Sequence, residues 1–188
     1  MSFQEALKKS AEILKQGGVI LYPTDTVWGI GCDAKNEAAV EKVFALKKRA
    51  DTKSMLCLVA NVAMLERHIA QVPEAAYDII DLSEKPTTII FDQPIGVAKN
   101  LIGPDNSLGI RVAKDKFCSY LSQNIKGPLV STSANLAGQP TPKNFQEISQ
   151  EILKGVDYVV NLERTKKASK PSSIIKLGNN GEVKVIRK

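Results

Sequence analysis

The chain has little of the chemistry that usually marks a site. It holds one histidine and three cysteines among 188 residues. Cys32, Cys57 and Cys118 are widely spaced and form no CxxC pair. A disulfide framework, or a zinc site built from Cys and His, is therefore not expected. Cys57 lies in an apolar run and reads as a small core residue, while Cys32 directly follows a polar motif and keeps open a reactive thiol. The lone His68 falls in a helical pattern away from every serine-rich stretch, as a surface or helix-end residue, so a Ser-His-Asp triad is not expected. There is no Walker A sequence and no GxGxxG opening a helix, so a nucleotide would not sit in a P-loop or Rossmann turn. Aromatics make up 5% of the chain, with one Trp, so platforms for stacking bases are scarce. No apolar run is long enough to span a bilayer. The opening Met1-Ser2-Phe3-Gln4-Glu5 lacks the regions of a secretion signal, which points to the cytoplasm.

What is present is an ordinary globular composition, 43% apolar and 24% charged. The length suits a single domain over residues 1–188 with a substantial core. The net charge of +6 suits anionic partners such as nucleotides, phosphates or RNA, although solubility alone would use the same excess.

Periodicity organises the rest. Residues 2–16 read as a helix with a Ser2/Glu5 capping box, stopped by Gly17-Gly18. Asn36 can cap a second helix carrying Val40, Val43, Phe44 and Lys47 on successive turns. Shorter helical patterns cover 62–69, 73–82, 115–124 and 144–153. Strand patterns cover 19–22, 55–60, 87–91, 108–112, 128–131 and 156–162. Residues 172–177 and 182–187 flank Gly178-Asn179-Asn180-Gly181 as a hairpin. The order is mixed α/β, and the hairpin requires some antiparallel pairing. Residues 163–171 are basic and read either as a mobile loop or as a flap over an anion.

Two strands run out of the core into hydroxyls. One leads into Tyr22-Pro23-Thr24-Asp25-Thr26-Val27-Trp28-Gly29-Ile30-Gly31, the other into Ser131-Thr132-Ser133-Ala134-Asn135. Hydroxyls, and amides left open by glycine, can bind a small polar ligand or a phosphate. Two such exits suggest one shared pocket. A local turn would use Thr24, Asp25 and Thr26 equally well. Lys47 and Arg49, with Lys53 beyond, can clamp phosphate or simply complement a helix C-terminus. Arg111 lies within a strand pattern and could grip a carboxylate if its face is the pocket face.

In combination and in this order, these motifs, with Lys47-Lys48-Arg49, Leu108-Gly109-Ile110-Arg111-Val112 and Lys170-Pro171-Ser172-Ser173-Ile174-Ile175, resemble the YrdC-like family over nearly the whole chain. The resemblance is to its single-domain threonylcarbamoyl-AMP synthases, the TsaC type. It implies an α/β fold related to DHBP synthase, with a twisted mixed sheet flanked by helices around a concave basic pocket. It implies that L-threonine, bicarbonate and ATP are joined into threonylcarbamoyl-AMP and pyrophosphate, towards the t6A modification of tRNA. Mg²⁺ would be held through the ATP phosphates, with no protein metal site. tRNA and other proteins of the t6A pathway are the further partners implied. Carried over position by position, Thr26, Arg111 and Ser131 fall at the threonine. Lys47, Arg49, Lys53, Ser133, Asn135, Thr141 and Ser172 fall at the nucleotide, with Lys47 and Arg49 catalytic. Leu58 stands where relatives often carry a polar residue in the threonine pocket. Two other readings compete, a YciO-like relative with another substrate and an RNA-binding module without this chemistry.

Overall fold

The structure is a computed structural model that describes residues 2–48 and 55–188. Arg49 and Lys53 lie outside the described residues. Helix α1 (Phe3–Lys15) begins with the expected capping box, in which Ser2 Oγ accepts from the Glu5 amide and the Glu5 carboxylate accepts from the Ser2 amide. Asn36 caps α2 (Glu37–Lys47) by accepting from the Ala39 amide, and Asp115 caps α5 (Lys116–Asn124) by accepting from the Cys118 amide. The shorter helices are α3 (Val62–Glu66), α4 (Ala75–Leu82) and α6 (Gln150–Gly155).

Among the described residues, nine strands form a single mixed sheet. They are β1 (Ile20–Tyr22), β2 (Gly29–Gly31), β3 (Leu56–Val59), β4 (Thr87–Asp92), β5 (Ser107–Val112), β6 (Leu129–Ser133), β7 (Tyr158–Val159), β8 (Ser173–Leu177) and β9 (Val183–Arg187). Their order is β7-β1-β2-β6-β3-β5-β4-β8-β9. The β1–β7, β3–β5 and β4–β8 pairs are parallel, and the others are antiparallel. The predicted closing hairpin is β8–β9, with Gly181 at φ +83° in its turn. Helices flank the sheet, with α1 and α5 packed on each other and α5 also against β3 and β6.

Three expectations are corrected. The helix expected over 144–153 is two pieces, because Asn144 caps a single 3-10 turn (Phe145–Glu147) and Ser149 then caps α6 afresh. The strand expected over 156–162 shortens to two residues. β2, which reads as a ligand motif in the sequence, is a true strand whose glycines allow close approach. A Cβ on Gly31 would stand 2.1 Å from the Val130 carbonyl oxygen.

Candidate functional site

The sheet order places the two polar exits side by side. β2 pairs with β6 in the register Gly29↔Ser133, and β6 pairs with β3, which lies next to β5 and Arg111. Thr24, Thr26, Arg111, Ser131, Ser133, Thr141 and Ser172 all border one cavity of about 260 Å³. The shared pocket suggested by the two motifs is therefore present. Gly109 lines it without a side chain, next to Leu56 and Thr88.

The first exit is a local turn and a cavity wall at once. Thr24 Oγ1 donates to the Val27 carbonyl at 2.7 Å and accepts from the Thr26 amide at 3.1 Å. Its single proton is then committed, so Thr26 Oγ1, 3.0 Å away, is the donor in their mutual bond. Thr26 consequently meets a ligand as an acceptor. The basic segment 163–171 is strapped onto this turn. The Ser169 amide donates to the Thr26 carbonyl at 2.7 Å, and Ser169 Oγ donates to the Asp25 carbonyl at 2.9 Å. Arg164 of the same segment lies over the Phe145 ring, which in turn packs on Trp28.

Arg111 is 4% exposed and donates from Nη2 to Asp25 Oδ1 at 2.8 Å. Among the described residues its buried Nε has no hydrogen-bond partner, and neither has Asp25 Oδ2. Burial pushes the Asp25 carboxyl up; the Arg111 guanidinium opposes this and Asp115 adds to it. On β4, next to β5, Thr88 shares a hydroxyl–hydroxyl bond of 2.9 Å with Ser172, and Arg187 Nε donates to the Ser172 carbonyl at 2.8 Å.

Of the described candidates, Lys47 and Asn135 do not line the cavity. Lys47 is 2% exposed and its ammonium donates to the Ser133 and Asn135 carbonyls, at 2.5 and 2.7 Å. It braces the second exit from behind. Asn135 turns its amide nitrogen to the Leu136 and Gln139 carbonyls and leaves Oδ1 buried without a partner among the described residues. Leu58 is fully buried beside Arg111 in the β3–β5 register, while Met55, Leu56, Ile90 and Ile174 contribute to the apolar part of the lining. Cys32 is buried and its thiol is pushed up by that burial, so it is no reactive nucleophile. His68 sits two residues beyond α3 but is 9% exposed, its Nδ1 3.1 Å from the Ile95 carbonyl.

A model of the Sua5/YciO/YrdC family, described as "Telomere recombination", matches residues 12–188. The chain belongs to this family. It is 34% identical to the threonylcarbamoyl-AMP synthase of Stenotrophomonas maltophilia, over 84% of this chain and 86% of that protein. It is 33% identical to the enzyme of the same name from Pseudoalteromonas translucida, over 97% and 98%. The fold superposes on E. coli YciO with a TM-score of 0.84 at 24% identity, covering 98% of this chain and 89% of that one. It superposes on P. abyssi Sua5 complexed with L-threonine with a TM-score of 0.82 at 20% identity, covering 94% of this chain and 52% of that one. This chain thus spans about half of the P. abyssi protein.

Sequence reasoning missed Arg187 and Thr88 in the Sua5/YciO/YrdC cavity. Arg187 pairs across the hairpin with Ile174, which also lines the cavity, at a register shift between Ile174 and Ile175. That irregularity breaks the alternation that would have shown which face Arg187 takes. Asp25 was legible as a polar residue, but not as the partner of Arg111.

Proposed function

We propose that the chain is an L-threonylcarbamoyladenylate synthase, a single YrdC-like domain over residues 1–188 acting in the cytoplasm. The observation that supports this most is a buried arginine at a cavity otherwise walled mainly by neutral hydroxyls and small apolar groups, with a second arginine, Arg187, bordering it. Such a lining suits an amino acid that brings its own carboxylate and a nucleotide that brings its own phosphates. The names of the family's bacterial relatives point the same way. No helix of the described residues is long and apolar enough to cross a membrane.

In this reading Arg111 takes the threonine carboxylate, while Thr26 and Ser131 orient the amino acid. Ser133, Asn135, Thr141 and Ser172 hold the nucleotide, and Arg187 faces its phosphates. Arg49 and Lys53 are assigned to the phosphates from the motif, and Lys47 supports them through the Ser133–Asn135 backbone it holds. The amine and bicarbonate condense to a carbamate with loss of water. A carbamate oxygen then bonds to the α-phosphorus, and the bond to the bridging oxygen breaks as pyrophosphate leaves with the electron pair. No protein nucleophile is needed, so the residues act by positioning and by charge stabilisation. Among the described residues, no group of three or more His, Cys, Asp or Glu is placed to hold a metal ion. The lining hydroxyls are hard oxygen donors compatible with Mg²⁺ carried on phosphates, where it would neutralise the leaving group. tRNA and proteins of the t6A pathway are the proposed downstream partners.

The test is pyrophosphate release by the purified chain with ATP and Mg²⁺. Release should require both L-threonine and bicarbonate and should yield a product with the mass of threonylcarbamoyl-AMP. A folded, ATP-binding protein that releases none with threonine would move the reading to a YciO-like substrate.

A further inference from the structure

We infer that Asp25 is a positioning residue for Arg111, holding one arm of its guanidinium so that the group keeps a fixed orientation at the cavity wall, where the substrate's carboxylate would meet it. An arginine fork facing a carboxylate commonly makes two parallel bonds. Here only one is made, from Nη2 to Asp25 Oδ1 at 2.8 Å, although both side chains are largely buried. Arg111 Nε and Asp25 Oδ2 are left over, each shut off from solvent with no hydrogen-bond partner among the described residues. A buried N–H of a charged group without an acceptor is costly, and so is a buried carboxylate oxygen without a donor, so the single Nη2–Oδ1 bond is a geometry that the surrounding structure imposes on the pair.

Asp25 cannot readily swing round to complete the fork. Its turn is closed internally by Thr24 Oγ1, which accepts from the Thr26 amide and donates to the Val27 carbonyl. From outside, Ser169 pins the carbonyls of both Asp25 and Thr26. The carboxylate is thus a fixed post, and the guanidinium hung on it has a fixed orientation at the cavity wall. Without that post the long Arg111 side chain would sample other rotamers, and each threonine bound would carry the cost of ordering it.

This inference rests on Arg111 being the carboxylate site, and the experiment separates the two. Threonine and ATP are titrated separately in the pyrophosphate assay, using the full chain, Asp25→Asn, Arg111→Ala and the double variant. Asp25→Asn keeps the shape and removes the charge. It should raise the threonine KM roughly tenfold or more while the ATP KM stays within about twofold. In the double variant, Asp25→Asn should add less than about twofold to the loss already caused by Arg111→Ala. An unchanged threonine KM in Asp25→Asn, equal rises for both substrates, or losses that multiply in the double variant would each overturn the inference. An unchanged threonine KM in Arg111→Ala would instead overturn the carboxylate assignment beneath it. If Asp25→Asn does not fold, NMR of the unaltered protein decides. On adding threonine the Arg111 Nε–H resonance should shift while the Asp25 carboxyl carbon stays in place. A stationary Nε–H, or an Asp25 carbon that moves as the pair separates, refutes the positioning role.

Discussion

Replacing Lys47 by methionine separates a buried brace from a phosphate clamp. Methionine keeps most of the unbranched stem and its packing while deleting the ammonium. Among the described residues the deleted group donates to the backbone carbonyls of Ser133 and Asn135, from a side chain that is 2% exposed. Hydrogen bonds from a charged donor contribute about 1.5–3 kcal/mol each. Both acceptor residues are only part-buried, so water can recover some of that loss. A net destabilisation of about 3 kcal/mol follows, a large share of the roughly 5–15 kcal/mol that holds a typical domain together. With a urea m-value of about 2 kcal/mol/M, the unfolding midpoint should fall by about 1.5 M. The same change loosens the Ser133–Asn135 backbone, so nucleotide affinity should fall together with stability. Urea unfolding followed by Trp28 fluorescence, alongside ATP binding by calorimetry, reads both quantities. A variant that loses ATP binding with its midpoint within about 0.3 M of the parent would refute the brace and restore a direct phosphate clamp.

Two further outcomes follow from the structure. Gly31→Ala would drive a Cβ to within 2.1 Å of the Val130 carbonyl oxygen, so β2 and β6 must separate. Its melting temperature should drop sharply and activity should disappear, whereas a native melt would show that β2 is paired differently. His68 has its pKa lowered, first by burial, with the Ile95 carbonyl bond opposing. The unfolded chain therefore binds the His68 proton more readily, and this part of stability is present above the ordinary histidine range and lost as pH falls through it. His68→Gln should lower the slope of unfolding midpoint against pH between about pH 8 and about pH 5, and identical slopes would refute the assignment.

The elements that were readable from sequence are those fixed by local chemistry. The α1 capping box, the Asn36 cap and the Gly181 turn each need only residues a few positions apart, and each is where the pattern places it. The failures share a cause in long-range contact. β2 holds Gly29, Ile30 and Gly31, a poor strand sequence by propensity, and becomes a strand because β1 and β6 supply hydrogen-bonding edges on both sides. The patterned run over 144–153 is broken because Asn144 and Ser149 each cap their own amides.

The same division runs through the site. Serines and threonines announced the cavity because a strand leaving the core into hydroxyls has few structural reasons to do so, and Thr26, Ser131 and Ser133 of the two exits all border it; Thr141 and Ser172, which border it too, came from the family resemblance. The cations were harder to read, because a charge in sequence does not reveal its partner. Lys47 sits on the buried face of α2, in phase with Val40, Val43 and Phe44, and that phase carried the information that its ammonium would be sheltered. A lysine on an apolar stripe must find acceptors nearby, and here the nearest are backbone carbonyls of the second motif. Arg111 follows the same logic from a strand. Its neighbours in β5 are buried, so it too had to be paired, and the first motif held the carboxylate that does it. The two motifs are therefore linked by their cations as well as by the cavity. Lys47 fixes the backbone of one motif, Arg111 is fixed by the side chain of the other, and a ligand between them meets groups whose positions are set before it arrives.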